Sequence, residues 1–132
     1  WIGDSKNKGI GIFAKNHIEL KRLNWSDDYK GHKVKHFLPC SVNGDFDLLA
    51  VWTHNNKSPT FGYIGQLWKY LQINKPNLNK TLILGDLNSN KIWDKWDRRW
   101  NHSDVVTELS EIGIESLFHK YRKEEQGVET QP

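Results

Sequence analysis

The segment TLILGDLNSN, residues 81–90, constrains the fold of this chain more than any other stretch. Three consecutive apolar residues, Leu82 to Leu84, lead directly into Gly85 and Asp86. A short run that is apolar at successive positions is typical of a strand covered on both faces, so the pattern predicts a strand in the middle of a sheet. A carboxylate beside a core is costly unless it caps a turn or takes part in chemistry.

Asp86 and Asn88 stand two positions apart immediately after this strand. In extended backbone their side chains leave the same face, so both can contact one ligand. Asp offers a charged acceptor that orients or deprotonates a water, and Asn offers an amide donor to a phosphoryl oxygen. The alternative is a purely structural Asx-type turn, because Gly-Asp and Ser-Asn are common turn formers. Spacing alone leaves both interpretations open.

A second strand is predicted over FDLLAVWTH, residues 46–54, and it follows the turn signal NGD. The preceding segment HKVKHFLPCSV, residues 32–42, alternates as a half-buried strand does, so the two are expected to form an antiparallel hairpin. His54 ends its strand as Asp86 ends the other. If these strands are neighbours, both side chains lie at one sheet edge, the usual location of an active site. The alternative for His54 is a solvated loop residue.

Helical periodicity appears in two segments. In YIGQLWKYLQ, residues 63–72, the apolar positions recur at helical spacing. Further along, Ser103 is predicted as the N-cap of a second helix, and Gly113 as its left-handed C-cap. Together with the strands, these helices predict a single α/β domain over residues 1–132.

Composition restricts the function only weakly. Lys and Arg number 19 against 16 Asp and Glu, giving a net charge of +3 and a pI near 9.0. This balance mildly favours a polyanionic partner, although an ordinary solvated surface explains it too. The lone Cys40 has no disulfide partner and no zinc-type spacing, which predicts a buried thiol.

The chain shows no apolar run of the roughly 20 residues that a membrane span needs, and no signal peptide. We therefore expect no membrane partner and a cytoplasmic location. The chain begins at Trp1 and contains no Met, which indicates a piece of a longer protein.

Polar residues surround the Gly-Asp-Leu-Asn turn. Asn90, Asp94 and His102 are expected to line a substrate groove there, with Asn90 and His102 as the substrate-binding candidates. The alternative is that they are solvated, as loops of this composition normally are.

The segment KIWDKWDRRW, residues 91–100, combines basic and aromatic side chains. Such a cluster can stack on nucleic-acid bases and contact phosphates. The alternative is that Trp93, Trp96 and Trp100, at spacings of three and four, anchor a turn of helix.

Taken in order, LLAVWTHNN, a helix, KTLILGDLNSN, a second helix and GIESLFHKY resemble the central part of the endonuclease/exonuclease/phosphatase superfamily. That superfamily includes pancreatic deoxyribonuclease, abasic-site endonucleases, sphingomyelinases and inositol polyphosphate phosphatases. The resemblance spans about Gly9 to Tyr121, and Gly-Asp-Leu-Asn is its sharpest motif. It implies a deoxyribonuclease-like α/β fold, a two-layer β-sandwich with flanking helices. It also implies a metal-dependent phosphoesterase, foremost a nuclease that hydrolyses phosphodiester bonds through an activated water.

By this resemblance Asp86 aligns and activates the attacking water, Asn88 holds the phosphate, and His54 stands near the leaving group. The implied cofactor is Mg²⁺ or Mn²⁺. The superfamily's metal-binding Glu and its final Asp-His pair have no counterpart within this span, and Glu19 lacks the surrounding motif, so no metal ligand is assigned.

Two other functions are compatible with the same residues. One is a small-molecule or lipid phosphatase or phosphodiesterase of the same superfamily, and the other is a degenerate, non-catalytic domain that binds a partner or nucleic acid. Because the superfamily's terminal motifs lie outside the span, we expect a sandwich incomplete at both ends, with little hydrolytic activity alone. Its uncovered sheet edges predict self-association.

Overall fold

The computed structural model describes residues 1–58 and 60–129 and shows a mixed α/β arrangement. The strands in chain order are β1 (Ile2–Ser5), β2 (Lys8–Ile10), β3 (Leu20–Arg22), β4 (Asp28–Tyr29), β5 (His32–Lys33), β6 (Phe37–Val42), β7 (Phe46–Trp52) and β8 (Thr81–Asp86). The helices are α1 (Ile64–Asn74), α2 (His102–Glu111) and α3 (Leu117–Arg122), with short 3₁₀ helices at Lys75–Asn77 and Lys91–Trp93. Within the described part of the chain, every helix is too short or too polar to span a bilayer.

A four-stranded sheet with the order β3-β6-β7-β8 forms the centre of the molecule. β6 and β7 pair antiparallel from Phe37↔Val51 to Val42↔Phe46, which confirms the predicted hairpin. Both strands are shorter than predicted, because His32–Lys33 pair in another sheet and β7 ends at Trp52, before His54. β7 and β8 pair in parallel, and α1 lies in the connection between them, as a parallel crossover requires. β1 pairs with β2, and β4 with β5, in two small separate sheets.

The two faces of the central sheet are covered by different elements. On one face, Leu49 and Val51 of β7 join a core cluster with residues of α1 and α2, including Leu71. On the other face, Cys40 and Ala50 belong to a second cluster that packs against Ile residues of the β1–β2 region. The central sheet therefore lies between the helices and the β1–β2 hairpin, and Cys40 is buried as expected.

β8 lies at an edge of the described sheet, so the prediction that this strand occupies the middle is wrong. Ile83 packs against the helical core, but Leu82 and Leu84 on the opposite face are 46% and 56% exposed. The apolar run correctly indicated a strand. It could not indicate cover on both faces, because that depends on which other segments reach the strand.

The two predicted helices form, but the second begins earlier than expected. Helix α1 confirms the periodicity of residues 63–72. The N-cap of α2 is Asn101 and not Ser103, since Asn101 and Asp104 exchange side-chain and backbone hydrogen bonds in a capping box. Gly113 follows the helix with φ of +80°, which confirms its role at the C-terminal end.

The tryptophans of residues 91–100 do not anchor a helical turn, so that alternative is wrong. The 3₁₀ helix ends at Trp93, and Trp96 is 99% exposed. Trp100 instead packs against Phe61, with ring centroids 4.4 Å apart. The spacing of three and four therefore does not reflect a helix, because helical structure in this segment ends at Trp93.

Gly85 permits the close approach of β8 to β7. Its φ is +145°, and a Cβ built there would lie 1.8 Å from the carbonyl oxygen of Val51. No side chain fits in this space without displacing backbone. The Gly of the Gly-Asp motif is thus required by strand pairing.

We predict that Gly85→Ala lowers the free energy of unfolding by at least about 3 kcal/mol, because the methyl group collides with the backbone of β7. Gly44→Ala is the matched control, since Gly44 has φ of +72° but nothing within 4 Å of the added carbon. The control should cost only about 1 kcal/mol for the left-handed conformation. Urea unfolding measures both, and equal losses would contradict the packing explanation.

We predict that the double variant Leu82→Thr/Leu84→Thr reduces self-association, since it removes apolar surface from the edge strand β8. Light scattering after size exclusion, at increasing protein concentration, reports the mass. Leu117→Thr is the control, because Leu117 is also exposed but lies on α3. An equal mass for all three proteins at every concentration would rule out association through β8.

Candidate functional site

The carboxyl ends of β7 and β8 meet at one edge of the central sheet because the strands are parallel neighbours. Trp52 pairs with Asp86 at the last position of the ladder. Beyond it, the Thr53 N–H donates to the Asp86 carbonyl at 3.0 Å, and the Asn88 side-chain amide donates to the Thr53 carbonyl at 2.9 Å. The Thr53 hydroxyl also donates to the Leu87 carbonyl. The two loops that carry the predicted site residues are thus bonded together.

Asp86 and Asn88 form the Asx turn that was one of the two interpretations. The Asn88 backbone N–H donates to Asp86 Oδ1 at 3.0 Å, and Asn88 has φ of +44°. The turn engages only one carboxylate oxygen, and the Asn88 amide has two N–H groups, of which one donates to Thr53. Asp86 therefore keeps Oδ2 for a ligand, and Asn88 keeps its second amide N–H and its Oδ1.

His54 is hydrogen-bonded through both ring nitrogens. Its Nδ1 accepts from the Asn56 backbone N–H at 3.0 Å, and its Nε2 lies 2.6 Å from Nδ1 of His36. A neutral imidazole carries one proton, and Nδ1 is already an acceptor, so the proton of His54 lies on Nε2. His54 consequently donates to His36.

His36 in turn faces a carboxylate. Since its Nδ1 accepts from His54, its own proton lies on Nε2, which is 3.6 Å from Asp4 Oδ2. The other oxygen of Asp4 accepts from Lys35 Nζ at 3.1 Å. We call this arrangement of Asp4, His36 and His54 the Asp-His-His series.

Burial keeps the two imidazoles neutral. It is the main cause that lowers the pKa of His36, with the neighbouring His54 second. Burial also lowers the pKa of His54, followed by the effect of Lys8. The pKa of Asp4 is lowered chiefly by its hydrogen bond from Lys35. At neutral pH the series therefore carries a negative carboxylate at one end and a neutral histidine at the other.

Trp52 links the Asp-His-His series to the loop that carries Asp86. Its ring centroid lies 4.9 Å from that of His36 and 5.0 Å from that of His54. Cross-strand partners leave a sheet on the same face, so Asp86 leaves β8 on the face where Trp52 contacts the two imidazoles. The structure therefore brings His54, Asp86 and Asn88 to one edge of the sheet, while their catalytic roles stay a prediction.

Asn90 and His102 line a cavity of about 460 Å³ together with Asn88. Their polar atoms are already engaged. Asn90 Oδ1 accepts from the Ile92 N–H at 3.0 Å, and its amide donates to Glu129 at 3.2 Å. His102 bonds Ser89 Oγ at 3.1 Å and Gln126 Oε1 at 2.7 Å. Both candidates border the predicted groove, and both hold its loop in place.

His36 and Asp4 were missed in the sequence. A signal for His36 was present, because the turn at residues 43–45 fixes the hairpin register and places residue 36 beside Trp52. The Trp52 N–H donates to the His36 carbonyl at 3.0 Å. Asp4 comes from β1, which belongs to another sheet, and no local sequence pattern predicts its contact with His36.

The Asp-His-His series is the only group of three metal-ligating His, Cys, Asp or Glu side chains found close together in residues 1–58 and 60–129, with ligand atoms within 4.8 Å of one another. Two imidazoles and one carboxylate suit zinc or a similar transition metal. Mg²⁺ requires oxygen ligands, and Mn²⁺ also prefers them. The series therefore does not fit the implied Mg²⁺ or Mn²⁺.

Comparison with known proteins identifies no matching family model, no similar curated protein and no similar solved structure. The function therefore has to be inferred from the geometry of this sheet edge.

We predict that the protein loses stability as the pH falls below the ordinary histidine pKa of about 6.5. His36 and His54 have lowered pKa values in the folded state, so the unfolded chain binds more protons below that pH. Their stabilisation is complete above it and is lost as the pH falls through the lowered values. Urea unfolding between about pH 7.5 and pH 5 measures this, above the range in which carboxylates titrate.

His36→Asn should flatten the pH dependence, whereas substitution of the exposed His17 should leave it unchanged. The same slope in the His36→Asn variant and the unsubstituted protein would contradict the assignment to the His36–His54 pair.

Proposed function

We propose that this chain carries the catalytic sheet edge of a phosphoesterase that hydrolyses phosphodiester bonds, with nucleic acid as its substrate. The observation that carries the proposal is the Asp-His-His series, which ends at the same sheet edge as Asp86 and Asn88. A proton donor, an acceptor for water and a donor to a phosphoryl oxygen are the groups that such a hydrolysis uses.

Each side chain has the group that its role needs. Asp86 uses Oδ1 in the turn, so Oδ2 is the oxygen that would orient and deprotonate the attacking water. Asn88 uses one amide N–H for Thr53, so the second would donate to a phosphoryl oxygen. The turn fixes both side chains before substrate binds, which reduces the cost of ordering them.

His54 is proposed to protonate the leaving oxygen. In the resting state its Nε2 proton is shared with His36, so the leaving group would take the place of His36 Nδ1 as acceptor. The donor is the imidazolium form of His54, because a neutral imidazole that lost its only N–H proton would become an imidazolate. The lowered pKa of His54 makes this form a stronger acid than an ordinary imidazolium. Transfer of the Nε2 proton to the leaving oxygen returns His54 to a neutral imidazole beside His36, whose own Nε2–H faces Asp4. The Asp4 carboxylate stabilises positive charge anywhere in the series, as the carboxylate of a catalytic triad does.

Two lysines make this region attractive to an anion. Lys8 Nζ lies 5.7 Å from the centroid of the Trp52 ring, and Lys35 is bonded to Asp4. Both add positive potential next to the imidazoles, which favours a phosphate group. The net charge of +3 and the basic segment of residues 91–100 favour a nucleic-acid strand over a neutral lipid or sugar.

We also infer the deoxyribonuclease-like sandwich from the layer arrangement. Helices cover one face of the central sheet, and the β1–β2 hairpin packs on the other. Leu82 and Leu84 leave the same face as that hairpin and are exposed. A second sheet packed over this face would cover them, as in a two-layer sandwich with flanking helices. The dependence on Mg²⁺ or Mn²⁺ remains a proposal from the resemblance, and none of the roles above requires it.

We predict that His54→Asn and Asp86→Asn each reduce hydrolysis at least about 100-fold in the full-length protein, because each removes a group that transfers a proton. Nicking of supercoiled plasmid in buffer with Mg²⁺ measures the rate, and phosphate release from inositol phosphates tests the small-substrate alternative. His17→Asn is the control for substituting a histidine.

The shape of the pH profile separates catalysis from folding. His36→Asn should shift the pH dependence of the rate, because it removes the partner of the His54 proton. Full activity of His54→Asn, with folding confirmed by circular dichroism, would overturn the proposed role.

A further inference from the structure

The cavity beside Asn88 has aromatic walls that the proposed chemistry does not use. It encloses about 460 Å³ between the loop before α1 and the loop after β8. This volume falls within the usual range for small-ligand sites. Tyr63 comes from the first loop, and Trp93 and Trp100 come from the second. We call the space bounded by these three rings and Asn88 the aromatic pocket.

Two of the three rings have open surface. Tyr63 is 49% exposed and Trp93 is 64% exposed. Trp100 is different, because it packs against Phe61 and donates its Nε1–H to the Thr60 carbonyl at 3.0 Å. Trp100 is therefore a fixed wall, while Tyr63 and Trp93 present aromatic surface that gains by stacking on a flat ligand.

The polar groups around these rings hold the loop rather than fill the pocket. The Asp94 carboxylate accepts from the N–H groups of His102 at 2.8 Å and Ser103 at 3.2 Å. The Asn101 amide donates to the carbonyls of Lys95 and Arg98. The loop that presents Trp93 is thereby tied to the start of α2, so stacking there would not require the loop to become ordered.

Tyr63 is held in a backbone conformation that normally belongs to glycine, with φ of +52° and ψ of −123°. Its N–H donates to the His54 carbonyl at 2.9 Å, and its own carbonyl accepts from Gln66. These bonds maintain the strained conformation and connect the backbone of Tyr63 to that of His54. Strain of this kind at a cavity wall suggests a function for the side chain.

We propose that the aromatic pocket binds a nucleobase whose attached phosphate reaches Asn88. This inference rests on the proposed function for the phosphate end and on the rings for the base. A base offers two apolar faces for Tyr63 and Trp93, and stacking tolerates any base because all have such faces. The Arg98 guanidinium lies 5.9 Å from the Trp100 ring and is bonded through Nε to Asp97 at 3.3 Å, so its remaining N–H groups can still donate to a nucleotide.

The test compares nucleotides with phosphates that lack a base. Calorimetric titration of the protein with AMP, ribose 5-phosphate and inositol trisphosphate should show binding that depends on the base. Trp93→Ala should weaken AMP binding about 5- to 100-fold, the range expected from stacking on one base. Trp96→Ala should leave binding unchanged, because Trp96 is also exposed but does not line the pocket. Equal affinity for AMP and ribose 5-phosphate, or equal effects of the two substitutions, would overturn the proposal.

Tyr63→Gly separates the binding role from the structural one. Glycine adopts the strained conformation freely, so this variant should melt at a higher temperature than the parent protein while binding AMP more weakly. An unchanged AMP affinity in a folded Tyr63→Gly protein would contradict the role of the ring.

Oligothymidylate distinguishes the two sources of the base. Tighter binding of the oligonucleotide than of TMP, weakened by Trp93→Ala, assigns the pocket to a nucleic-acid strand, and the reverse order assigns it to a free nucleotide. Either order supports base binding.

If His54→Asn leaves hydrolysis intact while Trp93→Ala weakens AMP binding, the proposed function fails and the proposal for the aromatic pocket stands. If hydrolysis needs His54 but AMP does not bind, only the pocket fails.

Discussion

The parallel pairing of β7 with β8 is the constraint on which the rest of this molecule depends. Leu49 and Val51 of β7 are completely buried, so the core fixes that strand, and β8 takes its position from the ladder beside it. The two strands can pair at this position because Gly85 has no side chain that would collide with the Val51 carbonyl. A packing interaction in the core thus determines where Asp86 and His54 stand, at an edge that both strands share.

The Asp-His-His series joins three parts of the chain that are distant in sequence. Asp4 belongs to β1, His36 precedes β6, and His54 follows β7. His36 is buried and has φ of +63°, a conformation that is unfavourable for a side chain of its size. Burying an imidazole is costly unless it is hydrogen-bonded, and here buried His36 bonds half-buried His54. A strained, buried histidine that is hydrogen-bonded to a second imidazole is a combination that proteins commonly reserve for functional sites.

Asp86 has a structural role that leaves part of its side chain available for the proposed chemistry. The Asx turn with Asn88 satisfies one oxygen of the carboxylate that ends β8, and the end of this strand is exposed. The same turn holds the second oxygen and the Asn88 amide in fixed directions. For a site that acts on phosphate, this fixed orientation contributes to catalysis, because the groups need no ordering when the substrate arrives.

The sequence by itself determined the strand that leads to His54 and the strand that ends at Asp86, although the first ends at Trp52, and it also determined the hairpin between β6 and β7 and helix α1. These follow from side-chain periodicity and turn residues, which act over a few neighbouring positions. Only the tertiary structure decided that β8 lies at an edge, that α2 begins after Asn101, that Asp4 and His36 join His54, and that Trp96 stays exposed. Each of these depends on contacts between segments that are distant in the chain. Such contacts do not produce a periodic pattern in the sequence.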